Sequence, residues 1–271
     1  MGTTPVPPEG PPWRERLWLV TAKGVPPVVV LALLALAWEL VAAHNQFLVP
    51  SLGSIWSALA SHPRQYADAA AATLEETGVG LGGSFAVAFG LAIAMSHFKV
   101  VERAVMPLAV VLNVTPIVAL APGLATALPV GQAPRYVVTG LIVFFPMLVN
   151  TLAGLRSADP ELLRYFATLD ASRGDVLLRL RIPSSLPFLF TAARICFPLS
   201  LVGAVVAEFT TAGTSNGLGS LIYDDYGQLQ LPGMYAGVLC LSALGLLFTL
   251  AVVVAEHRIL FWHSSRSAAG N

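Results

Sequence analysis

Residues 156–185 read RSADPELLRYFATLDASRGDVLLRLRIPSS and stand between two long apolar runs, about 136–155 and about 186–211. The stretch is the most charged in the chain, with Arg156, Arg164, Arg173, Arg179 and Arg181 against Asp159, Glu161, Asp170 and Asp175. Asp159-Pro160-Glu161 offers an N-cap, a proline suited to the first helical position and an acid in the first turn, and so predicts a helix through about Leu169. Ser172 with Asp175 three residues later is a capping box with Asp in place of Glu, predicting a second helix that ends before Pro183. Leu162, Leu163, Tyr165, Phe166 and Leu169 put more apolar bulk on the first helix than a solvated loop exposes. Something is expected to cover it: a surface of anionic lipid held by the arginines, or a partner protein into which the helix docks.

The flanking runs set the fold class. A bilayer core about 30 Å thick takes about 20 apolar residues of helix. Six such windows occur, at about 26–43, 70–97, 104–124, 136–155, 186–211 and 233–255. Hydrophobic residues make up 56% of the 271-residue chain and charged residues 11%, at a mean hydropathy of +0.73, so a membrane must be its solvent. The expected fold is an all-α membrane protein of six transmembrane helices. Gly78, Gly82, Ala86, Gly90 and Ala94 place a small residue at every fourth position of the second window, a face along which another helix can pack closely.

Basic residues orient the helices, because Lys and Arg near helix ends accumulate in the cytoplasm. With residues 1–24 inside, thirteen fall on that side: Arg14, Arg16, Lys23, Lys99, Arg103, Arg156, Arg164, Arg173, Arg179, Arg181, Arg194, Arg258 and Arg266. Arg64 and Arg135 fall on the other, where the loop of about 212–232 carries Asp224 and Asp225 and no basic residue. Both termini are therefore expected in the cytoplasm, with tails at 1–24 and 259–271 around a transmembrane domain of 25–258.

Several chemistries lack support. Net charge is zero, which gives no reason to expect nucleic acid. Cys196 and Cys240 sit in apolar runs without a CxxC spacing and read as small apolar filler. A P-loop needs Gly-Lys-Ser or Gly-Lys-Thr, and the only lysines, Lys23 and Lys99, follow Ala22 and Phe98. Any ATP must be hydrolysed by another polypeptide. Gly213-Thr214-Ser215-Asn216-Gly217 fits GxSxG, but a nucleophile elbow needs a strand-to-helix turn with downstream partners, and this pattern follows a membrane helix. The five histidines form no HExxH or other close pair.

Polar residues inside apolar windows are candidates for a translocation pathway: Asn113, Thr115, Asn150, Thr151, Glu208, Thr210 and Thr211. For Asn113 and Thr115, interhelical hydrogen bonding is an equal reading. Glu208 reads as a gate residue or an interfacial carboxylate, and Glu39 makes a weaker case. Pro116 should bend the third helix, while Glu75 and Glu76 suit the start of the second. A channel or secondary transporter would share all of this and work without an ATPase.

The order and spacing of short fragments over about 47–258 resemble the transmembrane subunits of type I ABC importers, in the nitrate, sulfonate and taurine permease group. Their cytoplasmic motif reads EAA, three residues, Gly, nine residues, Ile, one residue, Leu-Pro. Anchored on Ile182-Pro183, it places its Ile at Leu180, its Gly at Asp170 and its EAA at Arg164-Tyr165-Phe166, and Ala171-Ser172-Arg173 matches the usual Ala-Ser-Arg. Further fragments are Phe47 to Ser51, Ala72-Thr73-Leu74, Glu102 to Pro107, Thr115-Pro116-Ile117, Phe145-Pro146 to Asn150-Thr151, Gly154 to Pro160, Ala207-Glu208 and Gly217-Leu218-Gly219.

The resemblance implies the type I importer permease fold in a bacterial inner membrane, a second permease copy, separate ATPase subunits that bind ATP and Mg, and an extracytoplasmic substrate-binding protein that delivers a small solute. No cofactor is implied in this chain. The resemblance also implies that Arg164, Tyr165, Phe166, Ala167, Asp170, Ala171, Ser172 and Pro183 couple to the ATPase. Arg164 reverses the charge of the motif's Glu. Asp170 replaces its Gly and should tolerate a left-handed turn at a cost of about 1 kcal/mol.

Overall fold

The apolar windows become helices in a computed structural model that describes residues 13–45, 48–129, 131–211 and 216–259. Residues 1–12 and 260–271, half of the first expected tail and nearly all of the second, lie outside the described residues, as does Ser215 of the GxSxG pattern. The chain divides into two units, 1–58 and 59–271. In the first, α1 (Trp13–His44) begins inside the segment expected as a tail; the run from Trp13 to Lys23 is rich in Arg, Leu and Glu, which favour helix. Trp38 Nε1 donates to the Pro50 carbonyl at 3.0 Å, and Glu39 accepts from Leu52 N at 2.8 Å. The Glu39 carboxylate thereby satisfies an otherwise unpaired first-turn amide of α2 (Leu52–Ser61).

In the second unit the helices are α3 (Pro63–His97), α4 (Lys99–Val114), α5 (Ile117–Ala127), α6 (Ala133–Arg156), α7 (Pro160–Thr168), α8 (Arg173–Val176), α9 (Ile182–Thr210), α10 (Leu218–Gly227) and α11 (Leu231–Ile259). The core lies where α6 packs along α3 and α9, around Ala88, Ala92, Met95, Val143, Leu148 and Cys196. Among the described residues four helical runs are long and apolar enough to span a bilayer: α3, α6, the run Arg173–Thr210 and α11. A fifth is the pair α4 and α5, bent by 103°. Thr115 and Pro116 sit at the bend, both in extended backbone, so the helix expected over 104–124 is two helices.

Two local expectations are corrected and one is narrowed. The second loop helix does not stop before Pro183, because α8 passes through a π turn, Leu177–Arg181, straight into α9. Its wider i→i+5 spacing leaves no regular α bond for the missing Pro183 amide to break. Among the described residues the small-residue stripe on α3 meets no helix, since a Cβ at Gly78, Gly82 or Gly90 would have nothing within 4 Å, so that face is left open. The buried face is instead Thr73, Thr77, Gly80, Ser84, Ala88, Ala92 and Met95, with Gly80 pressed against Thr139 and Gly140 against the Gly80 carbonyl. The third is the loop after α9, which folds partly into α10.

Candidate functional site

The loop 156–185 forms the two short helices its caps announce. Asp159 accepts from Glu161 N at 2.7 Å, with Pro160 in the first turn of α7. Ser172 accepts from Asp175 N at 3.1 Å and donates to the Asp175 carboxylate at 2.6 Å, and Arg179 stands 3.4 Å from that carboxylate. Between them Asp170 takes φ +49°, the left-handed conformation a glycine would hold without strain. Asp170→Gly should therefore stabilise the turn by about 1 kcal/mol, read as slower amide exchange over residues 166–176; unchanged or faster exchange would count against strain at this position.

α7 is amphipathic and has no buried residue. Leu162, Tyr165 and Leu169 are 47%, 59% and 60% exposed. Their i, i+3, i+7 spacing aligns them as one apolar stripe of the kind that fits a groove in another protein. Arg164, Ala167, Asp170, Ser172 and Pro183 are exposed, while Phe166 and Ala171 are half-buried. The base of the loop is firm. Arg156 donates to both oxygens of Glu102, at 2.8 and 2.6 Å, and Ser157 Oγ donates to the carbonyls of Gly154 and Ser184. Leu177 and Ile182 pack on the core and Leu180 is buried. The chain is helical without a break from α8 through the π turn into α9.

At the other end of α9, Glu208 is fully buried. Its Oε1 accepts from Thr73 Oγ1 at 2.7 Å, and its Oε2 accepts from Ser220 N at 3.0 Å, in the first turn of α10. Thr73 Oγ1 in turn accepts from Leu218 N at 2.8 Å. A carboxylate against the unpaired amides of a helix N-terminus is favourable in charge and geometry. Gly217 and Gly219 make room, since a Cβ at Gly217 would fall on the carboxylate and one at Gly219 would come 2.8 Å from Oε2. Beside this latch Arg135 and Glu76 form a buried ion pair at 2.7 Å. Arg135 is thus a buried, paired charge in the first turn of α6.

The family profile for binding-protein-dependent transport system inner membrane components matches residues 86–261. The chain belongs to this family. It is 35% identical over 195 residues to a formylaminopyrimidine transport permease protein of Halalkalibacterium halodurans, covering 72% of this chain and 77% of the relative. A riboflavin transport system permease protein of Chloroflexus aurantiacus is 29% identical over 254 residues, covering 90% and 91%. A nitrate import permease protein of Leptolyngbya laminosa is 26% identical over 192 residues, covering 70% and 67%. The protein is therefore the permease subunit of a binding-protein-dependent ABC transporter, an inner-membrane component distinct from the ATPase. Membership implies a binding protein and an ATPase as its partners.

Among the described residues, those expected along the permease pathway stand in separate local settings. Asn113 is exposed on α4, and Thr115 Oγ1 bonds back to the Val111 carbonyl at 2.7 Å beside the bend. Asn150 Nδ2 donates to the Pro146 carbonyl at 2.7 Å. Thr151 is fully buried, with no partner for its hydroxyl among the described residues. Thr210 and Thr211 bond to the Ala207 carbonyl at the end of α9. An apolar cavity of about 480 Å³ instead lies among α3, α4 and α6, lined by Gly80, Ser84, Val87, Leu112, Val137 and Phe144. Reading residues one by one missed the latch made by Thr73, Glu208 and the start of α10. Its signal was present in three of the fragments that resemble the family, 72–74, 207–208 and 217–219.

Proposed function

We propose that the loop Arg156–Ser185 is the socket for an ATPase subunit, and that α9 carries its movement across the membrane to α10. The observation that carries this reading is the exposed apolar stripe Leu162, Tyr165, Leu169 on a helix whose base is bonded to the core. ATP-driven movement of the socket turns α8 and α9 together, and the Glu208 latch obliges α10 to follow. Rigid-body rotation of this kind alternates access to a pathway for a small solute delivered by the binding protein.

The topology that suits this reading has six spans, counting Val28–His44 and the bent pair α4 and α5, with both termini in the cytoplasm and tails at 1–24 and 259–271. The distribution of basic residues supports it. A second copy of the chain completes the pathway; of the candidates Asn113, Thr115, Asn150, Thr151, Glu208 and Thr211, the fully buried Thr151 and Glu208 act from behind its wall. The open Gly78, Gly82 and Gly90 stripe on α3 lets a second helix approach closely. ATP and Mg are held by the partner.

Arg164 is exposed on α7 where the family motif carries Glu, so the cognate ATPase should present an acidic contact there. Like charges brought together at such an interface cost several kcal/mol. Arg164→Glu should lower ATP-driven uptake by about tenfold or more in proteoliposomes that contain the ATPase and the binding protein. Uptake equal to wild type would remove Arg164 from the interface.

A further inference from the structure

We propose that the permease binds one anionic phospholipid where the turn between α3 and α4 meets the foot of α9. A cavity of about 400 Å³ opens there, with Lys99, Arg156 and Arg181 on its walls and Met95, Leu155 and Leu163 as its apolar lining. It adjoins a second space of about 770 Å³ along α4. The two share Lys99 and Glu102, and the second adds Arg103, Met106, Pro107 and Val110. Together they make a groove that is cationic at one end and apolar along its length.

The charges in this groove do not balance. Four cations, Lys99, Arg103, Arg156 and Arg181, surround one carboxylate, and Arg156 occupies both oxygens of that carboxylate. Among the described residues Lys99, Arg103 and Arg181 have no ion-pair partner within 4.0 Å. Arg181 donates to the Ser96 carbonyl at 3.5 Å, a long bond. Three cations gathered around a neutralised pair call for an anion, and a phosphodiester accepts from Arg and Lys together.

The apolar extension decides between sources of that phosphate. Free phosphate would use only the cationic end and leave Met106, Pro107 and Val110 uncovered, whereas an acyl chain continues from the headgroup along them. A zwitterionic lipid brings its own cation into a site already in cationic excess. Basic pockets between membrane helices hold anionic headgroups on this principle.

The test is native mass spectrometry of the delipidated full-length permease, titrated with phosphatidylglycerol or phosphatidylcholine of matched acyl chains. Wild type should retain one phosphatidylglycerol in preference to phosphatidylcholine, and excess inorganic phosphate should not displace it. K99A/R103A removes two of the headgroup's cations and should weaken phosphatidylglycerol by about tenfold or more, while K99R/R103K stays near wild type. Both positions are at the surface, and a thermal unfolding curve matching wild type shows that each variant folds. Equal retention of the two lipids, or of phosphatidylglycerol by wild type and K99A/R103A, would overturn the proposal. So would displacement by inorganic phosphate, which would make the cavity a free-anion site. The measurement needs neither ATP nor transport, so a failed coupling mechanism would leave its outcome intact.

Discussion

Arg135→Ala is expected to destabilise the permease by about 3–5 kcal/mol, the cost of leaving one member of a buried ion pair alone. Arg135 and Glu76 are 6% and 2% exposed and 2.7 Å apart, so neither can turn to water when its partner is removed. Glu76 Oε2 and Arg135 Nε have no hydrogen-bond partner among the described residues, so part of the desolvation cost is uncompensated even in the wild type. Replacing both members by apolar residues of similar volume, Arg135→Met with Glu76→Leu, should therefore recover most of the loss. Unfolding in mixed micelles measures both. A single variant within about 1 kcal/mol of wild type would contradict a pair closed to solvent.

Glu208→Ala should cost about 2–3 kcal/mol and release the start of α10. It takes the acceptor from Ser220 N and from the Thr73 hydroxyl in a site without surface access. Glu208→Gln keeps one carbonyl oxygen and should lose less. The location of the effect distinguishes a latch from general weakening: amides of Leu218 and Ser220 should exchange faster while those of α7 hold their protection. If α10 exchange is unaltered in Glu208→Ala, α10 is held by something else. In the proposed coupling the latch passes movement from α9 to α10, so the variant should lose ATP-driven uptake even where the folded protein is recovered.

Local chemistry was legible in the sequence. The Asp159 and Ser172 caps, the bend at Pro116 and the left-handed Asp170 each depend on a few neighbouring residues, and each formed as read. What failed depended on tertiary partners. The α3 stripe at Gly78, Gly82 and Gly90 has the right period, but period alone does not say which face meets α6; the bulkier face through Thr73, Thr77, Ser84 and Met95 does. Helix α10 has no side-chain N-cap of its own, because its cap is Glu208 from the preceding helix. The second loop helix ran past Pro183 because a π turn is a backbone solution that residue types do not announce.

The candidate site was legible to a smaller degree. The exposed apolar face of α7, on which the proposed socket rests, could be read because its apolar excess is visible within one short helix. The latch stood in the sequence only as three separate fragments, since Thr73, Glu208 and Leu218 meet only when α3, α9 and α10 are packed. The same is true of Glu102 and Arg156, which tie α4 to the end of α6.

The most direct test of the ATPase socket is a photoreactive cross-linker at Tyr165, 59% exposed on α7, in the reconstituted transporter. Illumination should join the permease to the ATPase subunit, with a yield that changes when ATP is bound. Cross-links to lipid alone, in the presence of assembled ATPase, would show that α7 lies on the membrane surface and would contradict the account.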